Sequence, residues 1–211
     1  MKILSSAAFA LALAVAVPVN AATLNFDTAT CDSGYVCGDY SLLDQSHGDV
    51  TGLDIVYDGD TATAGLQNVF YWTTGYESFA SVIWTGRETT LSILFDVLAG
   101  YTLNITAINF APYLNNIVST QITVTDTTDN FIEASGTYDP LGTDNISTIA
   151  GLFSSTDGLL ISFGPDAYNA GIGSIEYTLT PTAAVPVPAA LPLLLVALGG
   201  LGIAGRRRPR L

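Results

Sequence analysis

Tyr101-Thr102-Leu103-Asn104-Ile105-Thr106-Ala107-Ile108-Asn109-Phe110 is the stretch whose reading decides the fold. Leu103, Ile105 and Ala107 fall on one face and polar residues fall opposite, the period of two that marks a half-buried strand. The pattern recurs outward from it. Leu91-Ser92-Ile93-Leu94-Phe95-Asp96-Val97 precedes it and Gln121-Ile122-Thr123-Val124-Thr125 follows it. Further strands are expected over 54–57, 69–72, 79–84, 131–138, 159–163 and 174–179. Turn formers separate them: Asp58-Gly59-Asp60, Ala99-Gly100, Asp126-Thr127-Thr128-Asp129-Asn130 and Thr156-Asp157-Gly158. No window between Leu24 and Leu179 sustains a helical period with caps. About ten short strands at this spacing predict an all-β domain over 22–180, an antiparallel β-sandwich of the jelly-roll kind.

Charge is distributed unevenly around that domain. All nineteen acidic residues lie between Asp27 and Glu176, and Arg87 is the single basic residue among them. The other five bases, Lys2, Arg206, Arg207, Arg208 and Arg210, sit at the two ends. A body this acidic repels a phosphate backbone, which excludes sequence-independent nucleic-acid binding. A hydrophobic content of 49% excludes an acidic disordered chain.

The ends read as addresses. Residues 1–21, MKILSSAAFALALAVAVPVNA, place Lys2 before a short apolar run, with Val19-Asn20-Ala21 as small residues before a cut. This is the pattern of a secretory signal peptide, with Ala22 as the expected start of the mature chain. At the other end, 181–188 is an uncharged Pro/Ala/Val linker, expected to be extended. An apolar stretch over 189–205 follows and the Arg cluster over 206–210 closes the chain. As a helix at 1.5 Å per residue, this stretch would span about 25 Å, close to a hydrocarbon core. The Arg residues would then stay on the cytoplasmic side and leave the acidic body outside.

Val185, Pro186, Val187, Pro188, Ala189 and Ala190, then the Leu-rich stretch, then Arg206 to Arg208, resemble the PEP-CTERM sorting tails of the VPLPA type. Val187 departs from the usual Leu of that type. The resemblance covers 185–211. It implies a Gram-negative host and an exosortase partner that removes the membrane segment. The final location would be the cell surface or the extracellular matrix. An ordinary single-span anchor is the alternative. A second likeness lies in the body. Gln45-Ser46-His47-Gly48-Asp49 followed by Leu53-Asp54-Ile55-Val56-Tyr57 is similar to an element of exported PEP-CTERM ectodomains, in which Gln-x-Tyr/Phe-Gly-Asp precedes Val-x-Val-x-Tyr. It implies a lectin-like β-sandwich.

Candidate chemistry is sparse. Cys31 and Cys37 are the only cysteines, and in an exported chain they are expected to form one disulfide. His47 is the sole histidine, and no Gly-x-Ser-x-Gly elbow accompanies it, so a triad is not expected. Asp54, Asp58 and Asp60 around Gly59 could gather oxygen ligands for calcium, although a solvated Asp-Gly-Asp turn explains them as well. Asp27 and Glu176 form a second such grouping if the terminal strands pair. Glu77, Glu88, Glu133 and Glu176 are the only glutamates from which a glycosidase pair could be drawn. Tyr71, Trp72, Tyr76 and Trp84 are candidates for a glycan platform, because a pyranose C–H face suits an exposed aromatic ring. Alternation puts Phe70 and Trp72 on one face and Tyr71 on the other, so one set must be core, and the size of Trp72 favours it for that role. These readings converge on a non-catalytic structural or interaction protein. A carbohydrate-binding module, assisted by calcium or not, is the alternative, and a hydrolase is a distant one.

Overall fold

The computed structural model describes residues 20–31, 35–59, 69–86, 89–115, 120–138, 146–165 and 167–182. Of the expected signal peptide over 1–21 only Asn20 and Ala21 are described, and the expected sorting tail over 185–211 lies wholly outside the described residues, as do Asp60, Arg87 and Glu88. No described helix is long and apolar enough to cross a membrane.

Among the described residues thirteen strands run in chain order: β1 (Asn20–Asn25), β2 (Thr30–Cys31), β3 (Tyr35–Val36), β4 (Leu53–Gly59), β5 (Phe70–Trp72), β6 (Val82–Trp84), β7 (Leu91–Val97), β8 (Tyr101–Pro112), β9 (Thr120–Asp126), β10 (Ile132–Tyr138), β11 (Ser147–Ser155), β12 (Gly158–Gly164) and β13 (Ala170–Pro181). They build two antiparallel sheets and a β2–β3 ribbon. One sheet has the order β11-β8-β13-β6-β5, with β1 also paired to β13. The other has the order β10-β9-β12-β7-β4. From β6 onward every connection crosses from one sheet to the other, except the β9–β10 hairpin. That is the strand order of a jelly roll.

Inward residues of both sheets make the core. Ile55, Tyr57, Ile93, Phe95, Leu103, Ile105, Phe110, Ile161, Phe163 and Ile175 are wholly buried. The strict alternation read in β8 does not survive its full length. Opposite β13 the register jumps between Ile105↔Tyr177 and Ala107↔Glu176, which leaves Thr106 unmatched. A bulge of this kind switches the side chains that follow to the other face. Ile108 and Phe110, not Ala107, therefore continue the core that Leu103 and Ile105 begin. A second jump, between Ile172 and Ser174, leaves Gly173 unmatched in β13.

The segment between β3 and β4 closes one side of the sandwich. Tyr40 and Leu43 donate backbone N–H to Tyr71 and Val69, and Tyr71 donates to Ser41, so this segment pairs along the free edge of β5. It then crosses to the other sheet and caps the free edge of β4 with side chains. Ile55 N–H donates to Asp49 Oδ1 at 2.8 Å and Tyr57 N–H to Gln45 Oε1 at 3.0 Å. The Tyr57 hydroxyl donates to His47 O at 2.8 Å. Gly48 has φ +89°, and a Cβ there would strike Leu24 and Ile55. The Gln-x-x-Gly-Asp then x-Ile-x-Tyr spacing thus has a physical content: acceptors two donors apart for an edge strand that would otherwise expose them. The disulfide between Cys31 and Cys37, with Cα atoms 5.1 Å apart, pins the start of the segment.

Candidate functional site

The aromatic candidates separate by face. Tyr71 pairs with Ile83 across β5 and β6, and both lie in the main core, with Tyr71 6% exposed. Tyr71 is therefore no platform. Phe70 and Trp72 share the outer face with their partners Trp84 and Val82. The assignment of Trp72 to the core is corrected in the same way: in a strand with one face against the opposite sheet, Tyr71 took the inward position and Trp72 the outward one.

On that outer face a second apolar cluster forms, with Tyr76, Val82 and Ala111 at its centre and Trp72, Phe79 and Tyr113 packed on it. The β5–β6 loop can lie over the sheet because β13 offers no side chain there. A Cβ on Gly171 would come within 2.7 Å of Val82 Cγ2, and one on Gly173 would overlap the Phe79 ring. On this bed Tyr40, Trp72, Tyr76, Trp84, Tyr113 and Tyr168 line a small concavity of about 40 Å³.

Most of the rings meet edge to face, and Tyr76 and Tyr113 meet tilted, 5.1 Å apart at 48°. Tyr40–Trp72 centroids are 4.7 Å apart at 86°, Trp72–Trp84 6.1 Å at 88°, Trp84–Tyr168 5.2 Å at 80° and Trp72–Tyr113 6.2 Å at 84°. Each such pair contributes about 0.5–1.5 kcal/mol beyond its buried area. Hydrogen bonds lock the loops that carry them. Tyr76 Oη donates to Tyr168 O at 2.8 Å, Tyr113 N–H to Asn169 O at 2.7 Å and Leu114 N–H to Gly75 O at 2.7 Å. Thr73 N–H and Oγ1–H both donate to Asp39 Oδ1 at 2.8 Å.

Two further features adjoin this cradle. Three of the four described non-glycine residues with positive φ adjoin it: Tyr40 itself, Glu77 beside Tyr76, and Leu114 beside Tyr113. Each such conformation costs about 1–3 kcal/mol, and strain of this kind gathers at ligand clamps. In addition, the indole Nε1–H groups of Trp72 and Trp84 are both buried without an acceptor. Trp84 is only 6% exposed. An unmade hydrogen bond at a buried donor costs about 1–3 kcal/mol.

Sequence reading supplied Trp72, Tyr76 and Trp84, which the structure brings together. It missed Tyr40, Tyr113 and Tyr168, which are isolated tyrosines in two loops and at the start of a short 3-10 turn, and carry no local signal.

The proposed calcium ligands do not converge. Asp58 and Gly59 extend β4 instead of turning, and Asp54 and Asp58 lie on its outer face with Val56 between them. Four residues of strand separate them by about 13 Å. Among the described residues no group of three His, Cys, Asp or Glu could hold a metal. The terminal strands do pair, but Glu176 faces Thr23, and Asp27 accepts instead from Ser81 Oγ at 2.9 Å. His47 is half-buried against Phe26, and its Nε2 lies 3.0 Å from Asn25 O.

No family model and no curated protein matches the chain. Among solved structures it is similar to the GH26-CBM35 β-(1,4)-mannanase of Podospora anserina. Identity is 14% and the TM-score 0.33, over 79% of this chain and 29% of that one. It is also similar to the family 32 CBM of C. perfringens NanJ in complex with galactose. Identity there is 10% and the TM-score 0.29, over 76% of this chain and 93% of that one. A ruminal GH26 endo-β-1,4-mannanase matches at 15% identity and a TM-score of 0.31, over 79% of this chain and 26% of its own. The chain thus spans less than a third of either mannanase. These likenesses identify neither a family nor a ligand.

Proposed function

We propose that this chain is an exported, non-catalytic carbohydrate-binding β-sandwich whose ligand site is the six-ring cradle. The observation that carries the reading is the convergence of Tyr40, Trp72, Tyr76, Trp84, Tyr113 and Tyr168 on one concavity. Aromatic faces take the C–H surface of a sugar ring. The test is a glycan array probed with the wild-type chain and with Trp72→Ala. Wild type is expected to retain one or more glycans and the variant to lose them. An empty array at high protein concentration overturns the reading.

A second reading concerns delivery and rests on other residues. The order Val185-Pro186-Val187-Pro188-Ala189-Ala190, apolar 189–205, Arg206 to Arg210 supports sorting by an exosortase after export. The Cys31–Cys37 disulfide fits an oxidising compartment. Terminal-peptide mass spectrometry on the native host tests this. A mature chain that starts near Ala22 and lacks the residues after the sorting motif is expected. Intact tail peptides that persist in membranes make the chain a plain anchored ectodomain.

A further inference from the structure

We infer that the fold itself closes the expected leader cut. Once β1 pairs with β13, the Ala21–Ala22 bond is withheld from a peptidase, so the leader has to be removed before the last strand docks. The inference rests on the delivery reading above, in which the leader ends at Ala21.

Register places the bond. β1 pairs with β13 from Asn20↔Leu179 to Asn25↔Ser174, and Ala21 and Ala22 face Thr178 and Tyr177 within that run. The bond to be cut therefore lies inside a ladder, with paired residues on both sides of it. Binding an extended peptide as an added strand draws on its main-chain groups. In β1 the groups that face β13 are already engaged. Cleavage then has to proceed from an opened form, at a rate set by how often β1 lifts off.

Packing makes that opening rare. Leu24 and Phe26 are 4% and 0% exposed and belong to the main core, and Ala22 packs partly against it. Just beyond them, Asn25 O lies 3.0 Å from His47 Nε2, and Asp27 accepts from Ser81 Oγ at 2.9 Å. Lifting the residues that follow the cut into a cleft drags Leu24 out of the core and exposes its apolar surface.

Chain order sets the timing. Among the described strands β1 has no partner but β13, and β13 is the last of them. The strand that covers the bond is thus the last to be exported, and until it arrives the bond is open. The cut removes the pairs at Asn20 and Ala21 and leaves Leu24 and Phe26 to hold the strand. A chain that folds first keeps its leader instead. Because Asn20 faces Leu179, that leader departs from the same end of the sandwich as the chain that follows Pro181.

Order of addition tests this on the full-length chain. The chain is diluted from denaturant into detergent micelles, and a purified Gram-negative signal peptidase is added at the start of refolding or after it is complete. N-terminal peptides are quantified by mass spectrometry, and a synthetic peptide of residues 5–30 serves as the open substrate. Cleavage after Ala21 is expected in the peptide and in the chain that meets the enzyme at the start. The chain that has already folded should be cut at least about a hundredfold more slowly. Leu24→Ala weakens the hold on β1 away from the cut. In the folded chain it should speed cleavage at least about tenfold, and in the peptide it should leave the rate unchanged. Near-UV circular dichroism reports whether this variant is folded, and Leu24→Val, the milder change, takes its place where it is not.

Each other outcome overturns the inference in its own way. If the folded wild-type chain is cut as fast as the peptide, the ladder gives no protection; the inference falls and the delivery reading stands. If the folded chain resists and the Leu24 variant resists equally, something other than the β1–β13 ladder covers the bond, and the inference falls again. If the peptide is left whole or is cut elsewhere, the leader does not end at Ala21, and both fall.

Discussion

Asp49 serves two physical demands that oppose each other. Its Oδ1 accepts the buried Ile55 N–H at 2.8 Å and so closes the edge of β4. Burial pushes its carboxyl above the ordinary aspartate value, and the nearby carboxylates of Asp54 and Asp44 push the same way, against the Ile55 bond. The linkage follows from that direction. A folded-state pKa raised above the unfolded one means that the native chain holds this proton more tightly. The ionised form therefore subtracts stability at neutral pH, and the deficit disappears as pH falls through the raised value. Asp49→Asn keeps an acceptor and removes the charge, so it should be neutral or stabilising at pH 7. Asp49→Ala leaves Ile55 N–H unpaired and should cost about 1–3 kcal/mol. Thermal melts of the two variants at pH 7 and pH 4.5 check the pair. If Asn and Ala are equally harmful, the carboxylate charge and not the acceptor is what β4 needs. Asp44 behaves in the opposite sense. The Ser46 N–H and then the Ser46 hydroxyl hold its carboxyl below the ordinary value, so its contribution is lost only as pH falls below the normal aspartate range.

Among the elements, β13 decides whether a cradle forms at all. Gly171 and Gly173 leave its outer surface bare, and the β5–β6 loop with Tyr76 and Phe79 settles there. Gly171→Ala would push against Val82 at 2.7 Å and the Tyr76 ring at 3.0 Å. Overpacking of this kind costs about 1–3 kcal/mol. The variant should melt several degrees lower, and its tryptophan emission should shift to the red as water reaches Trp72 and Trp84. A lower melt with unchanged emission would mean that the loop does not depend on this bare surface. Elements also show where sequence reading stops. β7 was legible to the residue, because Leu91, Ile93, Phe95 and Val97 alternate without interruption. β8 was legible only as far as Thr106, since alternation carries no sign of a bulge. β11 was missed. Ala150-Gly151-Leu152 breaks its pattern, and the register there jumps between Ala150 and Phe153. The site was half legible for a related reason. Trp72, Tyr76 and Trp84 lie on one hairpin, where spacing predicts proximity. Tyr40, Tyr113 and Tyr168 reach them only through the tertiary fold.

At the scale of the whole molecule, charge is far from balanced. Nineteen carboxylates and a single Arg occupy the body between Ala22 and Thr182. The sandwich sets some of them beside one another. Asp54 faces Asp96 across β4 and β7, for example, and Asp49 has Asp54 and Asp44 near it. Self-repulsion of this kind favours expansion over the compact state. Screening removes it: the Debye length falls from about 30 Å at 0.01 M salt to about 3 Å at 1 M. The folded chain should therefore gain stability with sodium chloride, in contrast to a protein held by surface ion pairs, which loses them to screening. Melting temperature at pH 7 should rise by several degrees between 0.01 M and 1 M salt and then level off. The same rise should be absent at pH 3, where the carboxylates are largely protonated and the repulsion has already gone. An equal rise at both pH values would assign the effect to salting-out of apolar surface. A fall at pH 7 would mean that local carboxylate bonds, such as those of Asp44 to Ser46 and Asp39 to Thr73, outweigh the global repulsion.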